Sequence, residues 1–200
     1  MVVFFQRIKI WLLFFSLTSF SLLKGQVKSI QSFNLRNVTG EFWQLDSQTN
    51  ALGFMVVFTC NHCPFANLYP SRLNAISNQY SNKGVPLIAI NSMDSMLYEE
   101  EGYIQMQVKA KSEGFQFPYL QDATQEVGAQ FGADHTPHAY VIWREGEKWV
   151  VKYSGAIDDN GEDSKKAVSY LTAAVDDLLA HRAVKKPRTE SFGCRIIYRN

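Results

Sequence analysis

Cysteine is scarce in this chain: three in 200 residues, at positions 60, 63 and 194. That excludes a small scaffold stapled together by disulfides. At 46% hydrophobic the chain holds enough apolar side chains to build a core without staples. Charge of one sign is lacking too. Twenty Lys and Arg against 19 Asp and Glu leave a formal +1, with no polybasic surface to attract nucleic acid. Long apolar runs are missing: the stretch Ile10 to Leu23 has 14 residues, short of the roughly 20 that span a bilayer. With no internal repeat and no low-complexity segment, length and composition point to one globular domain.

The chain opens with a targeting pattern. Arg7 and Lys9 precede the apolar stretch, which ends near Lys24-Gly25-Gln26, the layout of a secretory signal over residues 1–25. Leu23-Lys24-Gly25 is a poor match to a small-x-small cleavage site, so an uncleaved segment tethering the protein to a membrane is the alternative. The expectation is an exported protein, periplasmic or secreted. Its domain runs over 26–183, and a tail over 184–200 carries the third cysteine. Removing residues 1–25 takes away three bases and no acid, which shifts the charge from +1 to −2.

Cys60-Asn61-His62-Cys63 carries the chemistry. The two thiols follow the apolar run Gly53 to Phe58, a strand pattern, and precede a helical pattern. A strand that delivers two cysteines to a helix N-terminus suits redox work, because unpaired backbone N–H groups stabilise a thiolate and a neighbouring sulfur can close a disulfide. A purely structural bond between them is the bland alternative, but a loop of two residues adds little to stability. Cys60, placed ahead of the helix, is expected to be the more exposed sulfur and the nucleophile, with Cys63 resolving the mixed disulfide. A protonated His62 would lower the thiol pKa of Cys60; otherwise it is a solvent-facing side chain. Cys194 is left over, as a third thiol that exchanges with the pair or as a packed side chain.

Hydrophobic patterning gives the order β-β-β-α-β-α-β-α-β-β-α. Short strands lie around Phe33 to Leu35 and Phe42 to Leu45, and Gly53 to Phe58 and Val85 to Ile90 read as buried strands. Cys63 to Tyr80 reads as a helix kinked at Pro70, Tyr98 to Glu113 as a polar helix, and Thr124 to Phe131 as a short one. Ala139 to Trp143 and Trp149 to Tyr153 form a hairpin, and Ser164 to His181 an amphipathic helix. This is an α/β three-layer sandwich with a mixed central sheet flanked by helices. The acidic run Glu99-Glu100-Glu101 is assigned to a solvated helix start, Asp158-Asp159 to a turn, and the tail beyond Val184 to the surface.

Several stretches carry a family resemblance: Phe58-Thr59-Cys60-Asn61-His62-Cys63-Pro64-Phe65, Ile88 to Ser92, Phe115 to Leu120, Asp122 to Val127, Thr136-Pro137, Gly155 to Asn160 and Gly193-Cys194. In these the chain resembles the thioredoxin-fold superfamily, specifically peroxiredoxin-like proteins related to the alkyl hydroperoxide reductase/thiol-specific antioxidant group. The resemblance implies a thioredoxin-like fold and a redox-active Cys60/Cys63 centre needing no organic cofactor. It also implies a cis proline at Thr136-Pro137, with the backbone of Thr136 offered to an extended substrate strand. Partners would be protein thiols or disulfides and a redox partner. A thiol peroxidase is the alternative, yet the peroxiredoxin pattern of proline seven and threonine three residues before the reactive cysteine meets Gly53 and Val57 for Cys60, and Val56 and Cys60 for Cys63. Where relatives often carry a cysteine before Thr-Pro, this chain has His135. The buried carboxylate that thioredoxins keep six residues before the first cysteine is replaced by Phe54, and no tryptophan precedes the motif. A zinc or copper site on Cys60, Cys63 and His135 is a further alternative, and His138 also flanks the Thr-Pro pair.

Overall fold

The computed structural model describes residues 28–199, so the expected signal or tether over 1–25 lies outside the described residues. Its framework is set by β4, Gly53–Phe58, in which all six residues are buried. Alternation sends Phe54, Val56 and Phe58 to one face and Met55 and Val57 to the other, and each face meets its own hydrophobic cluster. A strand apolar on both sides belongs in the middle of a covered sheet. It pairs in parallel with β5, Leu87–Asn91, and antiparallel with β8, His138–Glu145.

The remaining strands are β1 (Ser29–Ile30), β2 (Asn34–Asn37), β3 (Phe42–Gln44), β6 (Tyr119–Gln121) and β9 (Lys148–Gly155). They complete an eight-stranded sheet in the order β1-β9-β8-β4-β5-β6-β2-β3. Only β4–β5 and β5–β6 are parallel. The hairpin β8–β9 closes through a two-residue turn in which Gly146, at φ 61°, supplies the left-handed position. Helices α1 (Pro70–Tyr80), α2 (Tyr103–Ser112) and α4 (Tyr170–Leu179) bury Leu73, Ile76, Met106, Leu171 and Val175 against one face. Helix α3 (Glu126–Phe131) buries Val127 and Phe131 against the other. The expected three-layer α/β sandwich is what the residues form. None of the described helices is long and apolar enough to cross a membrane.

Two local expectations are corrected. Pro70 does not kink a helix running from Cys63. Residues 66–68 form a 3-10 turn, and Pro70 begins α1 at its first position, where a missing N–H costs nothing. The last helix starts at Tyr170, not Ser164, because side-chain carboxylates claim the preceding backbone: Asp163 Oδ1 accepts from Lys165 N at 3.0 Å and Asp159 Oδ1 from Val168 N at 2.7 Å. The tail lies over the surface as expected, and it is anchored there. Thr189 N donates to Ser154 O (3.1 Å), its Oγ1 accepts from Ala156 N (3.0 Å), and Tyr198 OH donates to Ala133 O (2.7 Å). Between these anchors a second, two-stranded sheet pairs β7 (His135–Thr136) with β10 (Cys194–Arg195).

Candidate active site

Three elements converge where β4 ends. The strand delivers Cys60 after Thr59, the loop 61–65 carries Cys63, and β7 brings Thr136 with its cis Thr136-Pro137 bond. Cys60 Sγ lies 3.1 Å from Thr136 Oγ1, and Cys63 Sγ lies 3.1 Å from the carbonyl oxygen of Thr136. Strand β10 pairs Cys194 with Thr136 in register, which brings the Cys194 thiol near enough to Cys63 for each to shift the other's ionisation. All three thiols are free, and they surround one residue.

Burial overturns one expectation. Cys60 is not the exposed sulfur: both Cys60 and Cys63 are 0% accessible, and Cys194 alone is half-buried. Ionisation also departs from expectation. The Cys60 thiol is held protonated chiefly by its hydrogen bond to Cys63, then by burial, then by the nearby charge of Glu101. Cys63 is pulled down to about 4, first by the Cys60 thiol and, against the effect of burial, by the Cys194 thiol, the Ala66 N–H and the Thr136 hydroxyl. One contact favours a proton on Cys63, the Thr136 carbonyl at 3.1 Å. Several donors converge on Cys63 while a carboxylate opposes charge on Cys60, so the donors win and the thiolate sits on Cys63. Burial, with the Cys63 sulfur next, raises the Cys194 thiol to about 11.

A pH dependence follows. A thiol whose folded pKa is depressed adds stability that is fully present above its unfolded pKa, near 9, and is lost as pH falls through its folded value of about 4. The stability advantage of the reduced protein over Cys63→Ser is expected to narrow steadily across that window. Urea unfolding of both proteins at about pH 8, 6 and 4 checks it, and a gap that widens on acidification would contradict the assignment.

Glu101 is the residue that sequence reasoning missed. Placed with a solvated acidic run, it is instead 1% exposed, while Glu99 and Glu100 face water. Its carboxylate accepts from Asn61 N (3.0 and 2.9 Å), His62 N (3.0 Å) and Asn91 Nδ2 (2.7 Å), and meets His62 Nδ1 at 2.5 Å. It therefore fixes both residues between the cysteines. His62 is half-buried: it pairs with Glu101 and stacks on Tyr98 at 4.7 Å between ring centres, with a ring nitrogen within 4.8 Å of the Cys60 sulfur. Asn61 is further held by Tyr119 OH at 2.9 Å and by Lys109 Nζ on its carbonyl at 3.1 Å. Asp158, assigned to a turn, does accept from Asn160 N at 3.1 Å, and also binds the Tyr69 hydroxyl at 3.0 Å and Arg72.

The alternative metal set is not assembled. His135 and His138 both turn to Asp134 Oδ1, at 2.9 and 3.0 Å, and line a cavity of about 600 Å³ with Lys28, Ser154 and Arg188. Among the described residues, the ligating group close enough to share an ion is Cys60, His62 and Glu101, without Cys63 or His135. The oxygens of Glu101 are already taken by backbone and side-chain donors, which makes it a positioning group.

A mixed sheet with two cysteines at the end of its central strand, facing a cis proline, defines a thiol-redox protein of thioredoxin-like fold. The chain belongs to the AhpC/TSA family, whose sequence pattern matches residues 27–154. A hypothetical protein from Sinorhizobium meliloti is 31% identical with a TM-score of 0.78, the match covering 86% of this chain and 94% of that one. An uncharacterized conserved protein from Geobacillus kaustophilus is 34% identical with a TM-score of 0.78, covering 86% and 92%. The peroxidoxin BcpB from Mycobacterium tuberculosis shares the fold at 17% identity and a TM-score of 0.55, covering 77% and 93%. No curated protein matches.

Proposed function

We propose that this protein is an exported thiol–disulfide oxidoreductase that exchanges disulfides with protein substrates through Cys60 and Cys63. The observation that carries this reading is the convergence of two free thiols on the residue before the cis proline, with Cys60 Sγ 3.1 Å from the Thr136 hydroxyl and Cys63 Sγ 3.1 Å from its carbonyl oxygen. A thiolate with a pKa of about 4 is a good leaving group, so the disulfide is readily attacked and the couple leans oxidising. Export rests on the N-terminal pattern alone, and the compartment decides which direction runs.

The peroxidase reading is weaker on two counts. Gly53 and Val57 stand at the positions of the peroxiredoxin proline and threonine, and both sit inside β4. Neither motif sulfur has an open face toward solvent for a peroxide to reach. Mixing the reduced protein with hydrogen peroxide is expected to trap no sulfenic acid at Cys60 or Cys63.

Glutathione redox titration, read by alkylation and mass, tests the main reading. One two-electron couple, assigned by peptide mass to a Cys60–Cys63 bond, is expected between roughly −270 and −120 mV, and that bond is expected to be missing from Cys60→Ser and Cys63→Ser. A dithiol that never oxidises reversibly in that range rejects the proposal.

A further inference from the structure

The dithiol is sealed. Cys60 and Cys63 have no accessible surface, and the backbone edge of Thr136, the edge the family resemblance offers to a substrate strand, is already paired with β10. The chain's own tail therefore lies where a substrate peptide would lie. It carries a cysteine in register with Thr136 and near Cys63, and that residue is the only one of the three cysteines that is not buried. The placement is closely built. Gly193, at φ 147°, runs so near Thr136 that a Cβ would come within 2.2 Å of its carbonyl oxygen. Thr136 Oγ1 lies 3.5 Å from the Cys194 carbonyl. The aromatic rings of Phe192, two positions before Cys194, and Phe65 on the motif loop meet edge to face at 6.1 Å, both partly exposed.

We propose that Cys194 is the outer thiol of a three-sulfur relay, through which the buried Cys60–Cys63 pair exchanges with a partner protein's disulfide. The proposal rests on the thiol–disulfide reading above. In the reducing direction, the Cys194 thiol gives its proton to water and its sulfur attacks the partner disulfide. An S–S bond forms between Cys194 and the partner, and the partner's leaving sulfur takes that proton up from water. Cys63 thiolate then attacks the Cys194 sulfur, releasing the partner's second sulfur as thiolate and leaving a Cys63–Cys194 disulfide. Finally Cys60 attacks Cys63, giving the Cys60–Cys63 disulfide while its proton returns to Cys194. The partner disulfide is reduced to a thiol and a thiolate, the dithiol is oxidised by two electrons, and Cys194 ends as it began. A dithiol reductant of the Cys60–Cys63 bond closes the cycle, and every step runs backwards for oxidation.

The relay assigns an intermediate to each variant. With glutathione disulfide as the probe, Cys63→Ser is expected to hold the adduct at Cys194, and Cys60→Ser to accumulate the internal Cys63–Cys194 disulfide, both located by peptide mass mapping without reduction. Cys194→Ser is expected to keep the Cys60–Cys63 couple in a long equilibration but to exchange at least about tenfold more slowly, with unfolding curves confirming that it is folded. An adduct on Cys60 in Cys63→Ser, or a wild-type exchange rate in Cys194→Ser, overturns the relay and leaves the oxidoreductase reading standing. Absence of any Cys60–Cys63 couple in the wild type overturns both.

Discussion

Replacing Glu101 by Ala is expected to lower the stability of the reduced protein by about 3–5 kcal/mol, a large part of the 5–15 kcal/mol a domain of this kind holds. The carboxylate is 1% exposed and receives the backbone N–H groups of Asn61 and His62 together with the amide of Asn91. Alanine leaves those donors without a partner, and each buried orphan costs about 1–3 kcal/mol. Glu101→Gln separates shape from charge. Its amide oxygen keeps part of the network, so the expected loss is about half as large, while the charge facing Cys60 disappears. The Cys60 thiol is then expected to ionise at lower pH than in the wild type, since Glu101 is one of the groups that holds it protonated. Urea unfolding reads the first effect, and the rise of thiolate ultraviolet absorbance with pH reads the second. A Glu101→Gln protein whose thiol titration matches the wild type would reduce Glu101 to a purely structural brace.

That residue also shows where sequence reading stops. The strand Gly53–Phe58, the Cys-x-x-Cys step after it and the Thr136-Pro137 pair were legible because each is a local pattern whose physics is local: an apolar run, a fixed spacing, a proline dipeptide. Glu101 is one of three consecutive glutamates, and nothing in that run distinguishes it. A 3-10 turn at Glu99–Glu101 rotates the third side chain inward, toward backbone groups some forty positions earlier in the chain. The strand pairing within the surface tail was hidden for the same reason. Lys185-Lys186-Pro187-Arg188 has the composition of a linker, yet β10 pairs with a strand nearly sixty positions away. The legible hint was Gly193-Cys194: a glycine beside an unpaired thiol marks a close backbone approach, and here that approach is onto Thr136.

That approach makes Gly193→Ala the second large effect. At φ 147° an L side chain is strained at the outset, and the new Cβ would sit 2.2 Å from the oxygen and 2.8 Å from the carbon of the Thr136 carbonyl. Both contacts are to backbone, so no flexible side chain can swing aside. Either β10 lifts away or Thr136 moves, and the carbonyl that moves is the one 3.1 Å from the Cys63 sulfur. Lifting β10 is the easier course, because its two-residue pairing is far shorter than the register that ties β8 to β4. The expected result is a folded protein, destabilised by about 2–4 kcal/mol, in which the shield over the dithiol has opened. Iodoacetamide at neutral pH should then modify Cys63, ionised and newly reachable, at least about tenfold faster than in the wild type. Cys60 should lag behind, since its proton remains. If Gly193→Ala is labelled no faster than the wild type while losing stability, the tail is not what seals the two sulfurs.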